Sequence, residues 1–263
     1  MSSKVIAAIG AVIFLSGMFG GIIFERLNVN LSNQNDQDFS IEVDNSNGTN
    51  FYSLIEIDEG DNDEEKQVTW ALHEFKFSSS GGSDAITWDF GDGTTASGSS
   101  VSHNYDTSGI FVVVATSISA DNIETASIQI TVNRDSFAEV DNMECSCAPT
   151  GKDTVIDLVA TNGMQSIQGF VKVEHDGSSE SCTLRNPLQE CHVRVILQRT
   201  DLGGVVSEEI LFDDTFRSNE KIIDFELSEL EFSQGENIQI RLETDQIRDW
   251  HKPTAEWSVV IPN

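Results

Sequence analysis

Basic residues are scarce in this chain. Fifteen Lys and Arg stand against 44 Asp and Glu in 263 residues, giving a formal net charge of -29 and a pI near 4.2. Such a surface repels phosphate backbones and anionic head groups, so nucleic acid is excluded as a partner and an anionic bilayer surface is disfavoured. Proline numbers only 4 and glycine 19, too few for a proline-rich rod or a collagen-like repeat. The hydrophobic fraction of 38% is low for a compact globule, which predicts that part of the chain stays unpacked. Catalytic signatures are missing as well. His73-Glu74 has no second His at the zincin spacing, and no G-x-S-x-G elbow, P-loop or G-x-G-x-x-G is present. The carboxylates are too numerous for any catalytic pair to stand out, so no enzyme is expected.

One long apolar run is present. Val5 to Phe24 carries no charge, and Ser16 is its only clearly polar side chain. At about 1.5 Å rise per residue, such a helix crosses a hydrocarbon core of roughly 30 Å. A cleaved signal peptide is the alternative, but the run is long for one and ends in Ile-Ile-Phe before Glu25 and Arg26 rather than in small residues. The expectation is a signal anchor over residues 5–24, with residues 1–4 in the cytosol on the strength of Lys4 and the rest of the chain outside. Gly17 and Gly21 form a G-x-x-x-G pair, which leaves room for a homo-oligomer.

Residues 25–65 differ in composition. They are rich in Asn, Asp and Ser, and Arg26 is their only base. This predicts an acidic, flexible, self-repelling stem, with Phe51 to Ile57 as a strand candidate within it. Two glycosylation sequons start at Asn30 and Asn47. The run Glu56 to Glu65 reads as a solvated charge run or, as its alternative, a weakly and diffusely held calcium ion. Its spacing is not that of an EF-hand loop, and no other cofactor is expected.

From Gln67 the chain alternates in polarity over short segments separated by Gly, Ser and Asp turns, the pattern of a β-sandwich. Trp88-Asp89-Phe90-Gly91-Asp92-Gly93 is followed by His103-Asn104-Tyr105 and by Gly109-Ile110-Phe111-Val112-Val113. Their order and spacing resemble the signature of the PKD (polycystic kidney disease) domain, with Phe111 where Tyr is common. The resemblance covers roughly residues 67–133. It implies an immunoglobulin-like sandwich of a kind usually found outside cells, as a spacer or as a module contacting proteins or carbohydrate. Trp88 and Phe90 alternate with Asp89 and should point inward, while Gly91, Asp92 and Gly93 suit a tight turn. His103 and Tyr105 fall on one face. The whole set reads as structural rather than catalytic.

Residues 134–149 read as a connection, and residues 150–263 as a second β-sandwich of jelly-roll or immunoglobulin-like type. Its strand candidates are 154–160, 167–174, 192–198, 205–212, 222–227, 237–242 and 256–261. Cys145, Cys147, Cys182 and Cys191 form an even set in a chain expected to be exported, which favours two disulfides. Pairings that cross from the C-x-C pair to the later two are preferred over a Cys182–Cys191 staple. A zinc site using His192 is a third option, but it lacks the usual C-x2-C spacing. Trp250, His251 and Trp257 are candidate ligand-binding residues, with core packing as the competing account of the two tryptophans.

The sequence therefore describes an all-β, single-pass cell-membrane protein with extracellular domains that bind a glycan or protein ligand. A structural subunit of a surface layer or membrane-bound assembly is the alternative, and an accessory ectodomain of a secreted hydrolase system is the third. The acidity reads as adaptation of an exposed surface to a salty medium.

Overall fold

The computed structural model describes residues 38–58, 64–83, 85–140, 154–160, 164, 166–174, 191–216, 218, 220–228, 230, 235–244 and 251–261. The expected membrane span, Asn30, Cys145, Cys147, Cys182, Trp250 and most of the acidic run lie outside these residues, as do the side chains of Cys191 and His251. Among the described residues no helix is long and apolar enough to cross a membrane. All of their regular structure is β-sheet.

One strand organises the molecule. β9 (Ile123–Glu139) runs through two hydrophobic cores. On one side its first part pairs with β8 (Gly109–Ile118) and its last part with β16 (His251–Val260). The two partners thus lie end to end along the same edge. β2 (Asn47–Asp58) runs parallel to β9 along the other edge, over 131–139, and pairs outward with β3 (Glu64–Ala71). Successive side chains of a strand face opposite ways. In β9 the even-numbered residues Ile130, Val132, Arg134, Ser136 and Ala138 are all buried, so both cores sit on one face of this large sheet.

The first core lies between that face and a three-stranded sheet made of β1 (Ser40–Val43), β4 (Glu74–Ser80) and β7 (Ser100–Asn104). β5 (Ile86–Asp89) and β6 (Thr95–Ser97) continue the large sheet beyond β8. Phe75, Phe77, Trp88, Phe90 and Tyr105 fill this core. The second core lies under a four-stranded sheet in the order β10 (Thr154–Asp157), β15 (Glu236–Glu243), β12 (Cys191–Asp201), β13 (Gly204–Phe216). Its other wall is β14 (Glu220–Leu227), β11 (Ser166–Glu174), β16, β9 and β2. Two packed layers around each core make two β-sandwiches.

Two expectations about segment boundaries are corrected. Residues 38–58 and 64–65 do not belong to a flexible stem. Phe39, Ile41 and Val43 pack against the first core, while Tyr52 and Leu54 are buried in the second. Likewise the connection expected from residue 134 begins as strand, since β9 continues to Glu139. The chain thus enters the first sandwich with β1, contributes the β2–β3 hairpin to the second, and returns for β4 to β9. The junction is polar inside, which hides it from a hydrophobic pattern. Asn50, 1% exposed, donates from Nδ2 to the Tyr105 carbonyl (2.8 Å) and accepts from the His73 amide (2.9 Å). The Asn50→Ala variant leaves both buried groups without that partner and is expected to lose roughly 2 kcal/mol of stability. Urea unfolding checks this, and an unchanged midpoint would show that the clamp contributes nothing.

Candidate functional site

The aromatic signature builds the first core. Trp88 and Phe90 turn inward from β5 and the residue after it, and the Trp88 indole donates to the Gly98 carbonyl at 2.8 Å. Gly91 has φ +79, and a Cβ there would stand 2.8 Å from the Val112 carbonyl oxygen, so a side chain is barred twice over. The turn holds itself through its carboxylates. Asp89 accepts from the Gly91 amide, and Asp92 accepts from the amide (2.9 Å) and hydroxyl (2.6 Å) of Thr94. His103 Nε2 lies 2.7 Å from the other Asp92 oxygen, and its ring stacks on Phe90 at 4.1 Å between centroids. Tyr105 donates from its hydroxyl to the Phe90 carbonyl at 3.0 Å and stacks on Phe111, and burial raises its pKa. Gly109 opens β8 opposite Val132. These hydrogen bonds hold the turn in place, with Asp89 and Asp92 themselves exposed at its surface.

Partial burial would raise the Asp92 carboxyl. The Thr94 and His103 hydrogen bonds outweigh it and hold the pKa below the ordinary 3.8. A carboxyl whose folded pKa is depressed adds stability that is present above the unfolded value and lost as pH falls through the folded one. The Asp92→Asn variant should therefore melt lower at neutral pH and show a shallower acid limb below about pH 4. Parallel acid limbs in thermal scans of variant and wild type would contradict this.

Sequence reasoning placed a ligand site at Trp250, His251 and Trp257. Trp257 is 2% exposed, and its indole donates to the Leu158 carbonyl at 3.1 Å, with Tyr52 6.2 Å away. It faces inward because β16 is flanked by β11 and β9, which gives its odd-numbered residues to the core. Trp257 therefore offers no stacking surface and packs as the core account expected, while Trp250 and the His251 side chain lie outside the described residues. Asn47 is exposed at the start of β2.

The back of that same sheet carries a better candidate. Across β14, β11, β16 and β9 the register aligns Asp224, Phe170, Glu256 and Phe137, and the adjacent row aligns Glu226, Gln168, Ser258 and Asp135. A shallow depression of about 570 Å³ lies over β14, β11 and β16. Phe170, half-buried, forms its floor, with exposed Gln168, Asp224, Glu226 and Glu256 around it. The depression depends on Gly169, which faces Trp257 and Phe225 across the sheet. A Cβ there would meet the Glu256 carbonyl oxygen at 2.2 Å, so only glycine lets β16 approach this closely. The arrangement presents one aromatic face surrounded by hydrogen-bond acceptors. Sequence reasoning missed it because each of its residues is an ordinary outward position in its own strand, and only the register gathers them. Among the described residues no group of three or more His, Cys, Asp or Glu is placed to hold a metal ion.

Residues 55–133 match the family model of the PKD domain, so the middle of the chain carries this domain. In the fold, the start of that range is the β2–β3 hairpin, which pairs into the second sandwich. No curated protein matches the chain. Among solved structures the chain is similar to one described under the promiscuous specificity of carbohydrate-binding modules of the β-sandwich superfamily. The identity is 9%, covering 87% of this chain and 98% of that one, with a TM-score of 0.28. It is also similar to a Bacteroides uniformis β-glucuronidase at 7% identity and a TM-score of 0.27, covering 86% of this chain and 30% of the enzyme. A structure of infectious bursal disease virus Gx strain matches at 10% identity and a TM-score of 0.32, covering 80% of this chain and 56% of that one. Likenesses this distant carry no information about ligand or activity.

Proposed function

We propose that this is a non-catalytic binding module held at a cell surface by residues 5–24, with the back of the second sandwich as its ligand face. The observation that carries the reading is the aromatic floor at Phe170 within a rim of carboxylates and one amide. A pyranose ring has an apolar C–H face and an edge of hydroxyl donors. Phe170 supplies a flat apolar contact for the first, and Asp224, Glu226 and Glu256 accept from the second. The acidity of the rim selects among glycans. It favours neutral or amino sugars and disfavours uronates and sulfated chains, whose charges would face three carboxylates. Placement outside the cell fits the PKD domain and the exposed Asn47 sequon.

The test is titration calorimetry of the full chain in detergent against neutral, amino and acidic oligosaccharides. A neutral or amino sugar should bind, Phe170→Ala should weaken it at least about tenfold (~1.4 kcal/mol), and Glu256→Gln should weaken it severalfold. Binding that persists in Phe170→Ala, or a preference for acidic sugars, would reject the site. A second reading, a subunit of a surface assembly, is favoured by a different face of the large sheet.

A further inference from the structure

The outer face of the first sandwich is nearly free of charge. On the exposed side of β6, β5, β8 and β9 one row runs Ser97, Thr87, Thr116, Thr125, and the next runs Thr95, Asp89, Val114, Ser127. Beyond the second row lie Val112 beside Gln129 and Ile110 beside Thr131, and at the opposite end Ile118 lies beside Ile123. Asp89 is the single ionisable residue in these rows, in a chain with a formal charge of -29. Four large apolar side chains on this face are open to solvent: Ile110 at 42%, Val112 at 53%, Ile118 at 46% and Ile123 at 66%.

We propose that this face docks against the same face of a second copy of the chain. Charge narrows the choice of occupant. Two copies repel each other wherever carboxylates meet, and the back of the second sandwich, with Asp135, Asp224, Glu226 and Glu256, is closed to self-association for that reason. A basic partner would seek the acidic surfaces elsewhere on the molecule, since this face offers only Asp89 to pair with a cation. A copy of the same face meets no charge cost. Its side chains are also suited to the contact. Val, Ile and Thr are stiff at χ1 and lose little rotamer freedom when buried. Threonine and serine hydroxyls donate and accept alike, so they can pair with their own symmetry mates across a two-fold axis. Lys and Glu, which interface centres avoid, are missing from these rows. Strand spacing and rise give the face an area on the order of 500 Å² per copy, at the low end for specific interfaces. The dimer is therefore weak and reversible. Salt screens the repulsion between the remaining surfaces, so association strengthens as ionic strength rises, opposite to a contact built on ion pairs.

Sedimentation of the full chain in detergent, from low salt to about 1 M salt where the screening length is near 3 Å, reads this directly. The wild type should shift from monomer toward dimer as salt rises. Val112→Glu, at a position open to solvent, should remain monomeric with an unchanged melting temperature. Ser258→Asp, on the ligand face, should dimerise like the wild type. It thereby separates this contact from the proposed glycan site, whose failure would leave the dimer untouched. A wild type that is monomeric at every salt concentration would overturn the proposal. So would a dimer that survives Val112→Glu, which would place the contact elsewhere, the apolar run 5–24 included.

Discussion

Replacing Arg134 by alanine should lower the unfolding free energy of the second sandwich by roughly 3 kcal/mol, while methionine at the same position should cost about 1 kcal/mol. Arg134 is 1% exposed at the point where β9 passes from one core to the other. Its guanidinium donates to the Leu158 carbonyl at 3.0 Å, the Val159 carbonyl at 2.7 Å and the Ser136 hydroxyl at 3.2 Å. Burial pushes its pKa down to about 10, partly offset by Tyr52 and Asp157. A displacement of that size corresponds to about 3 kcal/mol spent on keeping the cation charged inside. The hydrogen bonds and the packed methylenes offset that cost. Alanine removes both and leaves a cavity, and the Val159 carbonyl is left with no donor in its place. Methionine keeps most of the volume and removes the buried charge, so its loss is limited to the partners of the Val159 carbonyl and the Ser136 hydroxyl. The Leu158 carbonyl keeps the Trp257 indole in either case. Urea midpoints of the two variants check the ranking. Equal losses would mean that the hydrogen bonds, rather than packing, dominate at this site.

Arg134 also explains where the sequence was readable. The seven strand candidates between 154 and 261 correspond to β10 through β16; in most of them the inward residues are apolar and alternation marks them, whereas β13 is exposed over most of its length. The signature from Trp88 to Gly109 was legible for a further reason: its spacing encodes a turn and two rings that must meet. The junction was not legible. Inward positions there are Asn50, Glu56, Arg134 and Ser136, all buried. Polar residues at core positions weaken the period-two signal, so only Phe51 to Ile57 of β2 stood out from the stem, and the end of β9 looked like a connection. Their partners are supplied by tertiary structure, as with Glu56 and Lys66 at 2.7 Å. The ligand face and the charge-free face were hidden differently. Each is assembled from single outward residues of separate strands, and the register that aligns them is set by strand pairing rather than by any one segment. Of the two accounts open for Trp257, ligand binding and core packing, the structure supports the second, since the ring is buried in the second core.

The Gly169→Ala variant should be the most damaging single methyl in the second sandwich, with an expected loss of about 4 kcal/mol. Gly169 lies mid-strand in β11, between Phe225 of β14 and Trp257 of β16. An added Cβ would sit 2.2 Å from the Glu256 carbonyl oxygen, 2.6 Å from the Trp257 Cβ and 2.8 Å from its Cα. Two of these three atoms are backbone and the third is fixed to it, so no rotamer change relieves the overlap. The strands must separate, which breaks the β11–β16 pairing next to the centre of the core. The consequence for function follows from the register. Phe170 and Glu256 are direct neighbours across the same pair of strands, so moving β16 away from β11 opens the floor of the depression as it weakens the core. A neighbouring substitution separates the two effects. Gln168→Ala lies on the outer surface, changes no strand contact, and should leave the urea midpoint within about 0.5 kcal/mol of wild type while weakening glycan binding severalfold. If Gly169→Ala unfolds at the wild-type urea concentration, the close approach of the two strands is not a requirement of the fold, and the depression does not owe its shape to this glycine.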